Sequence, residues 1–398
     1  MNSDQIKRIE NDYVAGTYGR FDLAIVKGKG SRCEDAEGNE YIDFTSGIGV
    51  NCLGYSDSGW ASAISDQAGK LQHVSNLYYT EPCSLLAERM IKLTGMSKMF
   101  FSNSGAESNE GAIKAARKYS KIKYGQNLSE SDYNRYEILT LNESFHGRTM
   151  ATVTATGQES FHKDFVPFLQ GFGYVKANDI EDLNAKVTEK TCAIMIEFIQ
   201  GEGGVNDISQ QFVDEITRIC HEKDILFIAD EVQTGIGRTG KFMAYQHYGV
   251  IPDIVTVAKG IGGGLPLGGI LFNSKTDNVL QKGDHGSTFG GNPVVCAGAN
   301  YILSKMDEAF LLEVERKGTL IREKLLEIDE VKSISGKGLM IGFSLKTKNN
   351  AEVANECLKN GLLVLTAKDK IRLLPPLNIN DEDITSGLNI LEKTLLSF

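Results

Sequence analysis

Between about residue 50 and about residue 300 the chain repeats one pattern: a short apolar run, a break rich in polar or small residues, then a longer stretch with apolar residues at helical spacing. The runs are Lys98 to Ser102, Tyr136 to Leu141, Cys192 to Glu197, Ile225 to Asp230, Ile254 to Ala258 and Leu267 to Phe272. Strands that are apolar on both faces need cover on both faces, so the pattern predicts an α/β domain with a largely parallel, buried sheet. Up to about residue 50 the text is mixed. There the turn signal Glu37-Gly38-Asn39 before Tyr41-Ile42-Asp43-Phe44 predicts a peripheral arm with a hairpin. Toward the C-terminus the pattern changes again: a helix over Glu308 to Ile328, short strands near 339–345, 362–365 and 371–374, a helix near 351–360 and a last helix over 384–396. The expected division is an arm over 1–50 that packs on the small domain, a large domain over 51–304 and a smaller α+β domain over 305–398.

Composition narrows the class. At 398 residues the chain is long enough for two domains, each with its own core. A net charge of -10 argues against nucleic acid or an anionic membrane surface as partner. Seven cysteines, odd in number, scattered and without C-x-x-C spacing, predict reduced thiols and a cytoplasmic location. The N-terminus lacks an apolar signal core, and no window approaches about 18 consecutive apolar residues, so neither secretion nor membrane spanning is expected. None of the six histidines has paired ligand spacing with a carboxylate, so no metal is expected. Small-molecule chemistry remains.

That chemistry centres on Lys259 and Asp230. Lysines are mostly solvated, but Lys259 ends an apolar run and precedes Gly260 to Gly264, a setting that buries an amine and lowers its pKa. Asp230 ends Ile225 to Ala229 and so falls at the carboxyl edge of a strand, where open α/β sheets keep ligands. Its plainer readings are a turn cap or a metal ligand beside Glu231. A lysine that condenses with an aldehyde and an aspartate that holds a protonated ring nitrogen are what pyridoxal 5'-phosphate (PLP) asks of a protein.

Ser102-Asn103-Ser104-Gly105-Ala106-Glu107 opens a helix with Ser104 and Glu107 spaced as a capping box. It reads equally as a simple helix start or as a phosphate site on unpaired N–H groups. Gly235 to Gly240 matches G-x-G-x-x-G, yet opens no amphipathic helix and lacks the acidic residue about 20 positions on, so it is not a dinucleotide site. Gly260 to Gly264 lacks the lysine of a P-loop and is expected to be a flexible connection. Arg148 and Arg372 stand among apolar or small neighbours. They are either surface ion pairs or a pair of guanidinium forks suited to a dicarboxylate.

Taken in order, Ser102 to Glu107, Glu197 to Val205, Asp230-Glu231-Val232-Gln233-Thr234-Gly235, Ala258-Lys259-Gly260 and Ser287-Thr288-Phe289-Gly290-Gly291-Asn292-Pro293 resemble the class III, fold-type I aminotransferases, nearly end to end. The resemblance implies a mostly parallel seven-stranded sheet flanked by helices, plus a smaller α+β domain, and PLP as cofactor. Within the class, His73 to Pro82, Ser144 to Thr149 and Arg372 to Pro376 are most similar to enzymes that move the δ-amino group of N-acetylornithine to 2-oxoglutarate. Ornithine, succinylornithine, succinyldiaminopimelate and 4-aminobutyrate are rival donors. A PLP aminomutase and a non-catalytic binding protein on the same fold are more distant readings.

The resemblance also implies roles. Lys259 condenses with the cofactor aldehyde and shuttles the substrate proton; Asp230 pairs with the ring nitrogen, and Gln233 lies near the ring hydroxyl. Phe145 stacks on one ring face and Val232 packs on the other. Ser104, Gly105 and Ala106 hold the phosphate, with Thr288 reaching it from the partner subunit of a homodimer. Arg148 grips the α-carboxylate of N-acetylornithine and the side-chain carboxylate of glutamate. Arg372 holds glutamate's α-carboxylate, and Glu202 neutralises Arg372 when the donor has no carboxylate there. Glu197 and Ser287 complete the substrate-binding set. Two departures stand out: Phe198 where the class usually has proline, and Gly54 to Gly59 without the usual histidine-proline. Both are expected near the substrate entrance.

Overall fold

The computed structural model describes residues 1–129 and 131–397. Its centre is a seven-stranded sheet in the order Lys98–Ser102, Gly268–Phe272, Ile254–Val257, Leu226–Asp230, Thr191–Ile196, Glu137–Leu141 and Phe172–Val175. Gly268–Phe272 runs antiparallel to both neighbours, and the other pairings are parallel. Thr191–Ile196 and Leu226–Asp230 are buried at every position. Their side chains alternate between two cores: Ala193 and Met195 meet Ala112, Ala115 and Ala116 of helix Gly105–Tyr124, while Ile194 and Ile196 share a core with Phe212, Val213 and Ile216 of helix Gln210–Lys223. Cover on both faces is why these strands read as unbroken apolar runs.

Six of the seven strands coincide with the predicted runs. The seventh, Phe172–Val175, carries a glycine and lies half-buried at the sheet edge, so its apolar signal is weak.

Two four-stranded sheets and a two-stranded ribbon, Ile199–Gln200 against Asn206–Asp207, complete the fold among the described residues. Val331–Lys337, Met340–Leu345, Lys370–Leu373 and Leu365–Ala367 form one, antiparallel throughout. Ile25–Lys29, Arg32–Asp35 and Glu40–Asp43 form the predicted hairpin region, and Leu362–Leu363 joins it in parallel, so the arm packs on the C-terminal part. The single strand expected over 362–365 is therefore split between two sheets at Val364, a partition that an apolar run of this length does not encode.

Three expectations need correction. Gly260 to Gly264 is a packed turn, not a flexible connection: a Cβ on Gly263, whose φ is +58°, would lie 2.6 Å from Ile302 Cδ1 and 3.0 Å from Trp60 Nε1. Phe198 is fully buried, with its ring centroid 4.9 Å from that of Tyr248 and 6.0 Å from that of Phe227, so it belongs to the core rather than to an entrance. The 54–59 segment is bridged to Gly30 through Tyr55 and does not line the central cavity. The rejected Gly235 to Gly240 string is a turn whose Arg238, buried, donates from Nη1 to the carbonyls of Leu339 (3.0 Å) and Pro375 (2.5 Å), tying it to the smaller sheet.

Candidate active site

The carboxyl ends of five parallel strands open into one cavity of about 460 Å³. Each strand delivers a different group: Asn103 and Ser104, the Phe145–Arg148 turn, Glu197, Asp230, and Ala258 with Lys259. The turn between Ile254–Val257 and Gly268–Phe272 adds Leu265, Pro266 and Leu267 to the wall. This is the ligand position that an open α/β sheet dictates.

Asp230 is buried and held at both oxygens. Oδ2 accepts from Asn109 Nδ2 at 2.8 Å and from His146 Nδ1 at 2.7 Å, and Oδ1 accepts from the Val232 N–H at 3.0 Å. Asn109 is locked in turn, because its Nδ2 also donates to the His146 carbonyl and its Oδ1 accepts from Thr256 Oγ1 at 2.7 Å. Burial pushes the His146 pKa down, but the hydrogen bond and charge of Asp230, with a contribution from Glu197, outweigh it and leave it raised. A rigid carboxylate backed by a histidine is the outcome.

Lys259 lines the same cavity with a φ of +49°, a left-handed conformation that costs a non-glycine residue about 1–3 kcal/mol and is retained where packing over-determines it. Desolvation lowers its pKa; Glu202 and Asp230 oppose this, and Arg372 adds to it. The amine is thereby made more available as a nucleophile and base.

Helix Gly105–Tyr124 points its N-terminus into the cavity. Ser104 Oγ accepts from Glu107 N at 3.2 Å, but the Glu107 carboxylate returns to Asn103 N (2.6 Å) and Asn103 Nδ2 (2.8 Å), so the predicted capping box is completed one residue early. Gly105 and Ala106 keep N–H groups without intrahelical acceptors, as the first turn of any helix does. A Cβ on Gly105 would come within 2.7 Å of Val232 Cγ1, so only glycine lets this backbone approach the opposite wall.

The two arginines differ in state. Arg148 is exposed, its guanidinium 4.0 Å from the Phe161 ring centroid and 5.5 Å from that of Phe145, with no ion pair among the described residues. Arg372 is buried on Lys370–Leu373 and pairs with Glu202 through Nη1–Oε1 at 2.5 Å and Nη2–Oε2 at 3.3 Å. Its Nη1 also donates to the Gly201 carbonyl (3.0 Å) and Gln233 Oε1 (3.3 Å). Gln233 lines the cavity, so the pair lies directly behind it. Burial alone would raise the Glu202 pKa; the charge and hydrogen bonds of Arg372 reverse this and lower it.

Glu197 lines the cavity and accepts Phe145 N at 3.0 Å and Gly201 N at 3.4 Å. Ser287 Oγ accepts from Asn103 Nδ2 and from Gly290 N, both at 2.9 Å, which anchors it at the rim. Thr288 is exposed and is not on this chain's cavity wall. Sequence reasoning missed Asn109 and His146. The helical step from Gly105 to Asn109, which places both at one cavity, was the available signal for the first. For the second it was the position of His146 between Phe145 and Arg148.

The matching family model is Aminotransferase class-III, over residues 13–395. The chain belongs to that family, and it is a PLP-dependent transaminase. It is 51% identical to an acetylornithine aminotransferase of Haemophilus ducreyi, covering 99% of both chains, and 47% identical to one of Caldanaerobacter subterraneus, covering 97% of this chain and 98% of that one. Among solved structures, ornithine aminotransferase of Toxoplasma gondii superposes with a TM-score of 0.92 at 29% identity, covering 100% of this chain and 96% of that one. N-acetylornithine aminotransferase of Stenotrophomonas maltophilia superposes with a TM-score of 0.84 at 32% identity, covering 98% of each.

The residues present fit PLP. A desolvated lysine, a buried carboxylate bonded by Asn109 and His146, and a helix N-terminus held open by Gly105 face one cavity. When bound, PLP supplies an aldehyde that bonds an amine and a ring that stores the electron pair left as a substrate proton departs. Asp230 would hold a proton on the ring nitrogen, and Asn109 and His146 fix the direction of its carboxylate. Lys259 would take up and return the substrate proton. Phe145 and Val232 line the cavity and would cover the ring.

Proposed function

We propose that this transaminase moves the δ-amino group of N2-acetyl-L-ornithine to 2-oxoglutarate, giving N-acetyl-L-glutamate 5-semialdehyde and L-glutamate, as in arginine biosynthesis. The observation that carries the reading is the contrast between the two arginines: Arg148 open, Arg372 buried and neutralised by Glu202. An ω-amine donor brings one carboxylate, for Arg148, and leaves the Glu202–Arg372 pair intact. Glutamate brings two, and its α-carboxylate replaces Glu202 on Arg372. Dual specificity thus follows from masking one positive charge.

In this reading Lys259 and Asp230 are the catalytic pair, Gln233 faces the ring hydroxyl, and Ser104, Gly105 and Ala106 hold the phosphate. Thr288 serves the partner's site in a homodimer. Supporting this, the Asn76 side chain bonds the carbonyls of Ser287 and Gly290, so Thr288 shares one surface with Leu77, Tyr78, Tyr79 and Phe289, all exposed apolar side chains. The domain division at 50 and 304 assigns the cofactor groups to the large domain and Arg372 to the small one. Seven free, mostly buried thiols support a reducing, cytoplasmic setting.

The test is a donor panel: half-reaction spectra of purified protein with acetylornithine, ornithine, succinylornithine and 4-aminobutyrate. Acetylornithine should give the highest kcat/KM. A preference for ornithine, the substrate named for the Toxoplasma structure, would move the assignment to that branch.

A further inference from the structure

Glu197 is the cavity-lining carboxylate whose acceptors are spent on backbone. It follows the buried strand Thr191–Ile196, where Ile196 pairs with Ala229, so it stands beside Asp230 in the buried middle of the sheet. One oxygen accepts the Phe145 N–H and the other the Gly201 N–H. Those two main-chain sites belong to different carboxylate-handling devices. Phe145 lies three residues before Arg148 on the same turn, its ring centroid 5.5 Å from a guanidinium that sits 4.0 Å from that of Phe161. The Gly201 carbonyl accepts from Arg372, and Gly201 immediately precedes Glu202, the masking residue. Gly201 packs against the end of the Gln233 side chain, since a Cβ there would fall 2.2 Å from Gln233 Oε1.

We propose that Glu197 is a positioning residue for substrate choice: it spans the Phe145–Arg148 turn and the Gly201–Glu202 turn, and so sets the spacing between the open and the masked arginine to suit a five-carbon amino dicarboxylate. The inference rests on the dual-substrate reading above and deepens it. A donor that uses Arg148 alone tolerates a change in that spacing. One that must reach both arginines at once does not, since a misplacement of about 1 Å costs up to about a hundredfold.

The experiment uses PLP-loaded Glu197→Gln and Glu197→Asp. The amide keeps an acceptor for one N–H and turns an NH2 group toward the other; the shorter carboxylate reaches only one of them. Half-reactions are measured with acetylornithine, glutamate, aspartate and 2-aminoadipate, alongside Tm and visible cofactor absorbance. In both variants KM for glutamate should rise about tenfold more than KM for acetylornithine, and the preference for glutamate over its shorter and longer homologues should narrow by about tenfold. Equal losses toward acetylornithine and glutamate, or unchanged chain-length preference in variants that retain cofactor, would overturn the proposal. If the wild-type protein uses neither acetylornithine nor glutamate, the functional reading fails instead, and the two failures are distinguishable.

Discussion

Glu202→Gln is the sharpest probe of the masking device. The variant removes the negative charge facing Arg372, whose residue is only 2% exposed. Breaking a fully buried ion pair by deleting one partner costs about 3–5 kcal/mol. Here the Glu202 side chain keeps 29% exposure and glutamine keeps one acceptor, so about 2 kcal/mol is the reasonable figure. In the free enzyme solvent stands in for the lost charge at the open side of residue 202, and the cost falls mainly on the complex, where the donor covers that side. The expected result is a loss of about 30-fold in kcat/KM for acetylornithine, taking about 1.4 kcal/mol per factor of ten. Glutamate should be spared, because its own carboxylate pairs with Arg372 and no longer has to displace Glu202. Stopped-flow half-reactions on the two donors read the ratio directly. If kcat/KM falls by the same factor for both, Glu202 is not a mask.

Asp230→Asn should lower kcat by about a thousandfold, because an amide does not hold a proton on the ring nitrogen and developing charge loses its stabiliser; turnover within about threefold of wild type contradicts the role. Glu231 offers a pH test remote from substrate. Burial pushes its carboxyl up to about 7 against the bonds from Thr234, Ala244 and Tyr245, so the folded chain keeps a proton that the unfolded chain releases at ordinary carboxylate pH. Because the folded state binds more protons in that window, stability falls as pH rises from the ordinary carboxylate value to about 7. Glu231→Gln removes that dependence. The Tm difference, variant minus wild type, should therefore grow more positive between about pH 5 and about pH 8, and a flat difference refutes the assignment.

The large sheet was legible because its central strands are covered on both faces, which leaves an unbroken apolar signature in Thr191–Ile196 and Leu226–Asp230. Phe172–Val175, at an edge and interrupted by glycine, left none. Lys259 and Asp230 could be picked out because each ends such a strand, and strand ends are where the fold keeps ligands. The groups that hold Asp230 in place were not legible: Asn109 comes from a helix and His146 from a turn, and only their hydrogen bonds to Asp230 and to each other make them one unit. Phe198 shows the opposite error. A departure from the family pattern invites a functional reading, yet its ring fills the core between Phe227 and Tyr248. The Glu202–Arg372 pair lies between these cases: the resemblance implied it, and residues 170 apart along the chain meet through Gly201 and Gln233.

The central claim is that Lys259 bonds the cofactor, and borohydride reduction of the purified holoenzyme followed by peptide mass mapping tests it most directly. Reduction fixes the lysine–pyridoxal bond, so the pyridoxyl group should be found on the peptide carrying Lys259 and be absent, with turnover, from Lys259→Ala. A label on any other lysine, or wild-type turnover in the variant, would contradict the account.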